Sequence, residues 1–443
     1  MTPLIGQPGV RSFLLVLAGQ FVSLLGSGLT AFALGIWIFQ ETASTTQYAL
    51  VMFCAAVPPL AILPFAGPLI DRYDRKRLLI VCDIAGGLAA AAVGTLAWTG
   101  NLSLGAACAI VAVMASASAI QWPTWSASVT LLVPREQLGR ASGMTQVAQA
   151  SGQVLAPLLA GVLVTLIGIA GVTAIDVATF LVSIATLLAA TIPRAPEREE
   201  VRRGYVRDLA TGWRFVLARS GLLALLVMFA AVNFCVELAT VLFTPLVLSF
   251  TSPAALGTIL SVGSVGMVAA GVLLSVWGGP RRPALGAALF AALGGAAVCV
   301  AGLTTSVLLL AGTAAAFFLF LSLVAGSSQI VWQRAVPPEL QGRVFAVRVA
   351  IALCAIPLAS LAAGPLADRL FEPAMMPGGA LAQLAGAIVG VGKGRGIALL
   401  IIAAGAASVG IALTAASYGP LRRLDAEETA RGSAAPVPAR VEG

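Results

Sequence analysis

From Leu14 to Phe39 the chain carries no charged side chain, and similar apolar runs recur at Leu78–Trp98, broken only by Asp83, and at Ile397–Ala416. Each is long enough to cross about 30 Å of hydrocarbon as a helix. In hydrocarbon every backbone amide must find a partner within the protein, so runs of this length admit helices and little else. Composition agrees, with 59% of the 443 residues hydrophobic and 10% charged, where a soluble domain carries about a quarter charged residues. Windows of about 19 residues place spans near 12–38, 46–70, 77–99, 103–131, 140–168, 171–192, 221–248, 254–277, 284–304, 307–333, 343–366 and 397–418. The first run exceeds a signal-peptide core and lacks a small-residue cleavage site, so no cleaved leader is expected.

Basic residues set the expected orientation. Arg72, Arg75, Lys76 and Arg77 follow the second span, Arg135 and Arg140 the fourth, and Arg194 through Arg219 fill the polar stretch after the sixth. Arg281 and Arg282, then Arg334 and Arg343, then Arg422 and Arg423 continue the alternation. Loops after odd-numbered spans carry no Lys or Arg except the last, with Arg369, Lys393 and Arg395. The positive-inside rule then puts both termini in the cytoplasm, in an inner or plasma membrane of bacterial type. The net charge of +8 reports contact with anionic headgroups, and charges scattered over short loops do not suit nucleic-acid binding.

The two halves repeat. Val133-Pro134-Arg135-Glu136-Gln137-Leu138-Gly139-Arg140 matches Val336-Pro337-Pro338-Glu339-Leu340-Gln341-Gly342-Arg343, and the same offset of 203 aligns Ala160-Gly161 with Ala363-Gly364. A repeat at this distance reads as a duplicated transporter. The expected architecture is an all-α membrane protein with twelve transmembrane helices in two pseudo-symmetric six-helix bundles. These span 1–192 and 221–420, joined by a cytoplasmic loop at 193–220 and followed by a disordered tail at 421–443.

Several chemistries are disfavoured. All six cysteines lie inside apolar runs without CxxC spacing, and histidine is absent, which leaves neither a metal set nor a nucleophile–base pair. No phosphate-binding glycine loop occurs, so ATP is not the direct energy source. No cofactor, metal or enzymatic activity is expected.

Gly67-Pro68-Leu69-Ile70-Asp71-Arg72-Tyr73-Asp74-Arg75-Lys76-Arg77 resembles the major facilitator superfamily signature between helices 2 and 3, departing from it at Asp74, where glycine is usual. Gly67 permits close helix approach, Asp71 can face a helix N-terminus, and Arg72 and Arg75 belong to the basic anchor. Gly152-Gln153-Val154-Leu155-Ala156-Pro157-Leu158-Leu159-Ala160-Gly161 is similar to the antiporter motif of drug exporters, and plain small-residue packing would also explain it. Gly19 to Ser27, the paired loops and Gly364-Pro365-Leu366-Ala367-Asp368-Arg369 look like the macrolide-efflux and siderophore-exporter-like branch.

Charged residues within spans are functional candidates by default. Asp83 is read as pairing with the arginines of the nearby loop, Asp176 as sitting near a water-accessible outer end, and Arg348 as snorkelling or pairing with an acid of the first signature. Glu237 lies near mid-depth with Asn233 one turn earlier, and either a cavity role or a structural polar contact fits it. The resemblance implies that helices 1, 4, 7 and 10 line a central cavity. That adds Gln20, Gln121, Trp122, Trp125, Gln329 and Trp332 as cavity candidates, although tryptophan also anchors at membrane interfaces.

The resemblance implies a secondary transporter, expected as a monomer among membrane lipids, that exports a bulky, largely apolar small molecule by proton antiport. Alternatives are a lipid flippase or scramblase on the same fold, proton-coupled uptake, or a transport-inactive receptor.

Overall fold

The computed structural model describes residues 8–134, 137–193 and 205–425, and among these every regular element is helical. The long helices are α1 (Pro8–Thr42), α2 (Thr45–Arg72), α3 (Arg75–Trp98), α4 (Leu104–Leu132) and α5 (Leu138–Ala189). After the short α6 (Tyr205–Leu217) come α7 (Ser220–Leu248), α8 (Pro253–Trp277), α9 (Pro283–Leu303), α10 (Val307–Ala335) and α11 (Pro338–Pro365). A π-helical turn (Leu366–Phe371) continues α11 into α12 (Glu372–Met375), then α13 (Ala382–Val389) and α14 (Arg395–Ser417).

Eleven helical segments among the described residues are long and apolar enough to cross a membrane. A twelfth pass is compatible with α5, whose 52 residues contain Gly168 at φ 65° and ψ −179°, a conformation that glycine alone adopts readily. Along α1, Gly19 faces Thr186 and Gly26 faces Thr179, an antiparallel register, whereas Leu24 faces Gly152 and Gly28 faces Ala156, a parallel one. The two limbs of α5 therefore run in opposite directions, which accommodates the twelve passes expected. The sequence reading placed a break between 168 and 171. The backbone reverses at Gly168, whose dihedrals are not helical.

The connections sort into a basic face, carrying the arginine-rich loops, and a far face. Helices α2, α4, α8 and α10 start at the far face, and each is capped by a serine (Ser44, Ser103, Ser252, Ser306) that accepts from the backbone N–H three residues on. A serine oxygen satisfies one orphan amide at the sharp start of a helix, so these far-face loops can be short. At the basic face Asp74 caps α3 by accepting from Arg77 N at 2.9 Å, so the residue that departs from the family pattern serves as a helix cap.

Packing repeats between halves. In the first, α1 lies on both limbs of α5, α2 on α4, and α3 on α4 and α5; in the second, α7 lies on α11 and α14, α8 on α10, and α9 on α10 and α14. The halves meet along two seams, α5 against α8 and α2 against α11. The first seam explains the motif around Pro157. Proline has no N–H and displaces the turn before it, freeing carbonyls three and four residues back. Ser261 Oγ of α8 donates to Val154 O at 2.6 Å, and the Ser264 hydroxyl is shared between Leu260 O of its own helix at 3.0 Å and Gln153 O at 3.2 Å.

Two expectations need correction. The stretch 193–220 is not only loop, because α6 packs along α11 and α7 with Val216 buried and Trp213 and Arg214 exposed; its apolar stripe needs cover. The tail does not begin at Leu421 as disorder. Leu421 is fully buried, and Asp425 accepts from Ala284 N and Leu285 N at 2.9 and 3.0 Å, capping α9. Arg135, residues 194–204 and residues 426–443 lie outside the described residues.

Candidate transport cavity

Two of the cavities between the described helices are lined by candidate residues. The larger, of about 480 Å³, is walled by α2, α7, α8, α9, α10, α11 and α14, with Tyr48, Met52, Phe243, Phe317 and Phe318 among its lining. The smaller, of about 140 Å³, lies among α1, α4 and the first limb of α5, and Gln20, Gln121, Trp122, Trp125 and Gln149 line it. A site of several hundred cubic ångströms with mostly apolar walls and few polar groups suits a bulky organic ligand.

Glu237 lines the larger cavity. Among the described residues it takes neither a hydrogen bond nor an ion pair, which sets it apart from Asp83, Asp176 and Arg348. Asp83, fully buried, is the centre of a network: Gln121 Nε2 donates to Oδ1 at 2.7 Å, and Ser183 Oγ and Gln20 Nε2 donate to Oδ2 at 2.7 and 3.2 Å. Gln121 Nε2 also lies 3.0 Å from Gln20 Oε1, linking the two glutamines of the smaller cavity. The expected arginine pairing is therefore wrong. Asp83 points inward to α1, α4 and the second limb of α5, and Arg75 and Lys76 of the loop have other partners.

Those partners are helix carbonyls. Arg75 Nη1 donates to Ala127 O at 2.6 Å, and Lys76 Nζ donates to Leu188 O and Ala190 O at 3.0 and 2.7 Å. Lys76 satisfies orphan carbonyls at the end of α5, and both cations lie toward the C-terminal, negative ends of helix dipoles. Arg72 is exposed. Gly67 and Asp71 lie within α2, but their side chains fall outside the described residues.

Asp176 is also corrected. It is fully buried rather than open to water, and Thr30 Oγ1 donates to it at 2.6 Å, with Thr179 Oγ1 at 3.3 Å. For Arg348, no acid is a partner among the described residues: Nη1 donates to Gln329 Oε1 at 2.8 Å and the guanidinium sits 5.8 and 5.9 Å from the rings of Phe229 and Phe345. Asn233 and Gln329 line neither cavity. Trp332 is buried in the core of the second half, and Trp125 is 3% exposed, stacked on Phe13 at 5.9 Å, which leaves Trp122 as the open indole. The aromatic walls at Tyr48, Phe243, Phe317 and Phe318 were not singled out from sequence, since an aromatic in an apolar run looks the same toward lipid, core or cavity.

A helical bundle with its halves in mirrored packing and a cavity between them is a multi-pass membrane transporter. The chain belongs to the Major Facilitator Superfamily, whose profile matches residues 16–354. Macrolide efflux protein A of Streptococcus pyogenes is 24% identical over 379 residues, covering 81% of this chain and 90% of that protein. Multidrug efflux pump Tap of Mycolicibacterium fortuitum is 26% identical over 371 residues, covering 80% and 89%. Among solved structures, a bacterial homolog of the human lysosomal transporter Spinster, inward-facing and unoccupied, superposes with a TM-score of 0.70 at 17% identity, covering 96% of this chain and 98% of that one. A bacterial homologue of the iron transporter ferroportin reaches 0.65 at 14% identity, covering 92% and 99%. At these identities the structural likeness speaks for the fold alone.

Proposed function

We propose that this transporter exports a bulky, largely apolar small molecule from the cytoplasm by proton antiport, with both termini cytoplasmic and Glu237 as the site where proton and cargo compete. The observation that carries the reading is the isolation of Glu237. Asp83, Asp176 and Arg348 each have hydrogen-bond partners, whereas Glu237 stands unpartnered on the wall of an apolar cavity. An uncompensated carboxylate in low dielectric is costly, and either a proton or a cationic group on the cargo removes that cost. A group that must take one or the other can couple two gradients as the two halves rock about the cavity. The efflux relatives support the outward direction, and the aromatic lining supports a bulky apolar cargo. A monomer, bearing both halves of the cavity in one chain, suffices for this cycle.

Glu237→Gln keeps the volume and a hydrogen-bonding group but cannot ionise. In inverted vesicles with an imposed pH gradient, the mutant is expected to lose gradient-driven efflux of dyes or macrolides while expressing normally. Undiminished gradient-driven transport would remove Glu237 from the coupling step. Transport that continues in both directions without any gradient would favour a scramblase.

A further inference from the structure

The hexapeptide Gly67-Pro68-Leu69-Ile70-Asp71-Arg72 that ends α2 has a near-copy, Gly364-Pro365-Leu366-Ala367-Asp368-Arg369, at the end of α11. Gene duplication does not account for the second copy. The internal repeat has an offset of 203, which would place the counterpart near 270–275, in α8, where the sequence reads Ala-Gly-Val-Leu-Leu-Ser. The two copies are instead 297 residues apart (364 − 67), at the C-terminal ends of helices that pack on each other across the halves.

That pairing is antiparallel. The end of α11 meets the start of α2 at the far face, where a Cβ on Gly364 would collide with the backbone of Thr46. The same antiparallel run puts Asp71, about 40 Å along α2, at the face where α11 begins. Each helix thus carries the same terminal sequence toward the other's N-terminal end, one copy at each face of the membrane.

At the far face the copy is engaged. Asp368 Oδ2 accepts from Ser44 Oγ at 2.8 Å and from Thr46 N at 2.8 Å, and Oδ1 accepts from Thr45 N at 3.2 Å. The carboxylate of one half thereby covers the orphan amides at the first turn of a helix in the other half, where a negative charge is favoured. Asp368 sits in the π-helical turn Leu366–Phe371, and an inserted residue of this kind re-aims side chains and recurs at functional positions. Ser44 joins the two roles, since its oxygen accepts from Gln47 N at 3.3 Å while its proton goes to Asp368.

We infer that Asp368, with Ser44, is a latch that holds the far face closed and must be released for that face to open. In an alternating-access cycle the far face is closed in one state and open in the other, so the strength of this latch helps set the resting population of the two states. Charge-assisted bonds made in one state only shift that balance by their full differential strength.

The test is the distance between spin labels on far-face loops of the two halves, at Asn101 and Thr305, in a cysteine-free background in liposomes without cargo or gradient. Asp368→Asn is expected to raise the long-distance, far-face-open population about tenfold or more, and Ser44→Ala to move it the same way by less. A distance distribution unchanged in both Asp368→Asn and Ser44→Ala overturns the latch. So does a lowered melting temperature with an unmoved distribution, the outcome of a purely structural cap. Since neither cargo nor proton gradient enters the measurement, its result stands apart from that of the Glu237 experiment.

Discussion

At the scale of single residues, a carboxylate within a membrane protein is tolerated when donors surround it, and the buried acids differ in how rigidly theirs do so. Asp83 holds two glutamine amides that also bond each other, plus Ser183. Replacing it with asparagine turns an NH2 group toward donors and forces one coupled amide to flip. Asp176 is met by hydroxyls of Thr30 and Thr179, which rotate freely between donating and accepting. Asp83→Asn is therefore expected to lower stability by about 1–3 kcal/mol, read as a fall in melting temperature of purified protein, and Asp176→Asn by clearly less. Equal effects would refute the network argument. That these residues were costly and deserved attention was legible in sequence, because charge inside an apolar run stands out. Their partners were not, because Gln20, Gln121 and Ser183 come from three other passes.

Elements obey the same accounting of backbone groups. If Ser264 satisfies the carbonyl that Pro157 frees, then Ser264→Ala should destabilise by about 1 kcal/mol in the native chain and by much less in a Pro157→Ala background, where residue 157 regains an N–H for Gln153 O. A double-mutant cycle on melting temperature reads this coupling, and additive effects would dismiss it. Gly168→Ala should cost about 1–3 kcal/mol by placing a Cβ at φ 65°, with reduced folded yield as the measurement. The proline and the small residues near it were visible in the chain, and so was the break after the fifth span. What the serines of α8 do for that proline was invisible, since it depends on which helix of the other half lies alongside.

For the whole molecule, alternation of basic and neutral loops predicts that reporters fused after Thr42 or Thr251 score as periplasmic and one after Asp425 as cytoplasmic. A far-face reporter that scores as cytoplasmic would invert the orientation. The fusion point belongs after Asp425 rather than Leu421, because Asp425→Ala alone is expected to destabilise the second half by about 1 kcal/mol through the uncapped start of α9. A melting temperature unchanged in that variant would show that α9 does not depend on the tail. The sequence by itself determined the helical class, the order of the long apolar helices and the superfamily, since hydrocarbon thickness and backbone satisfaction act on local runs of residues. Which carboxylates are paired, which indole is open, and which helix ends meet across the halves was decided only by tertiary structure. Those facts depend on contacts between segments a hundred or more residues apart, as Asp368 on Thr46 and Gln121 on Gln20 illustrate.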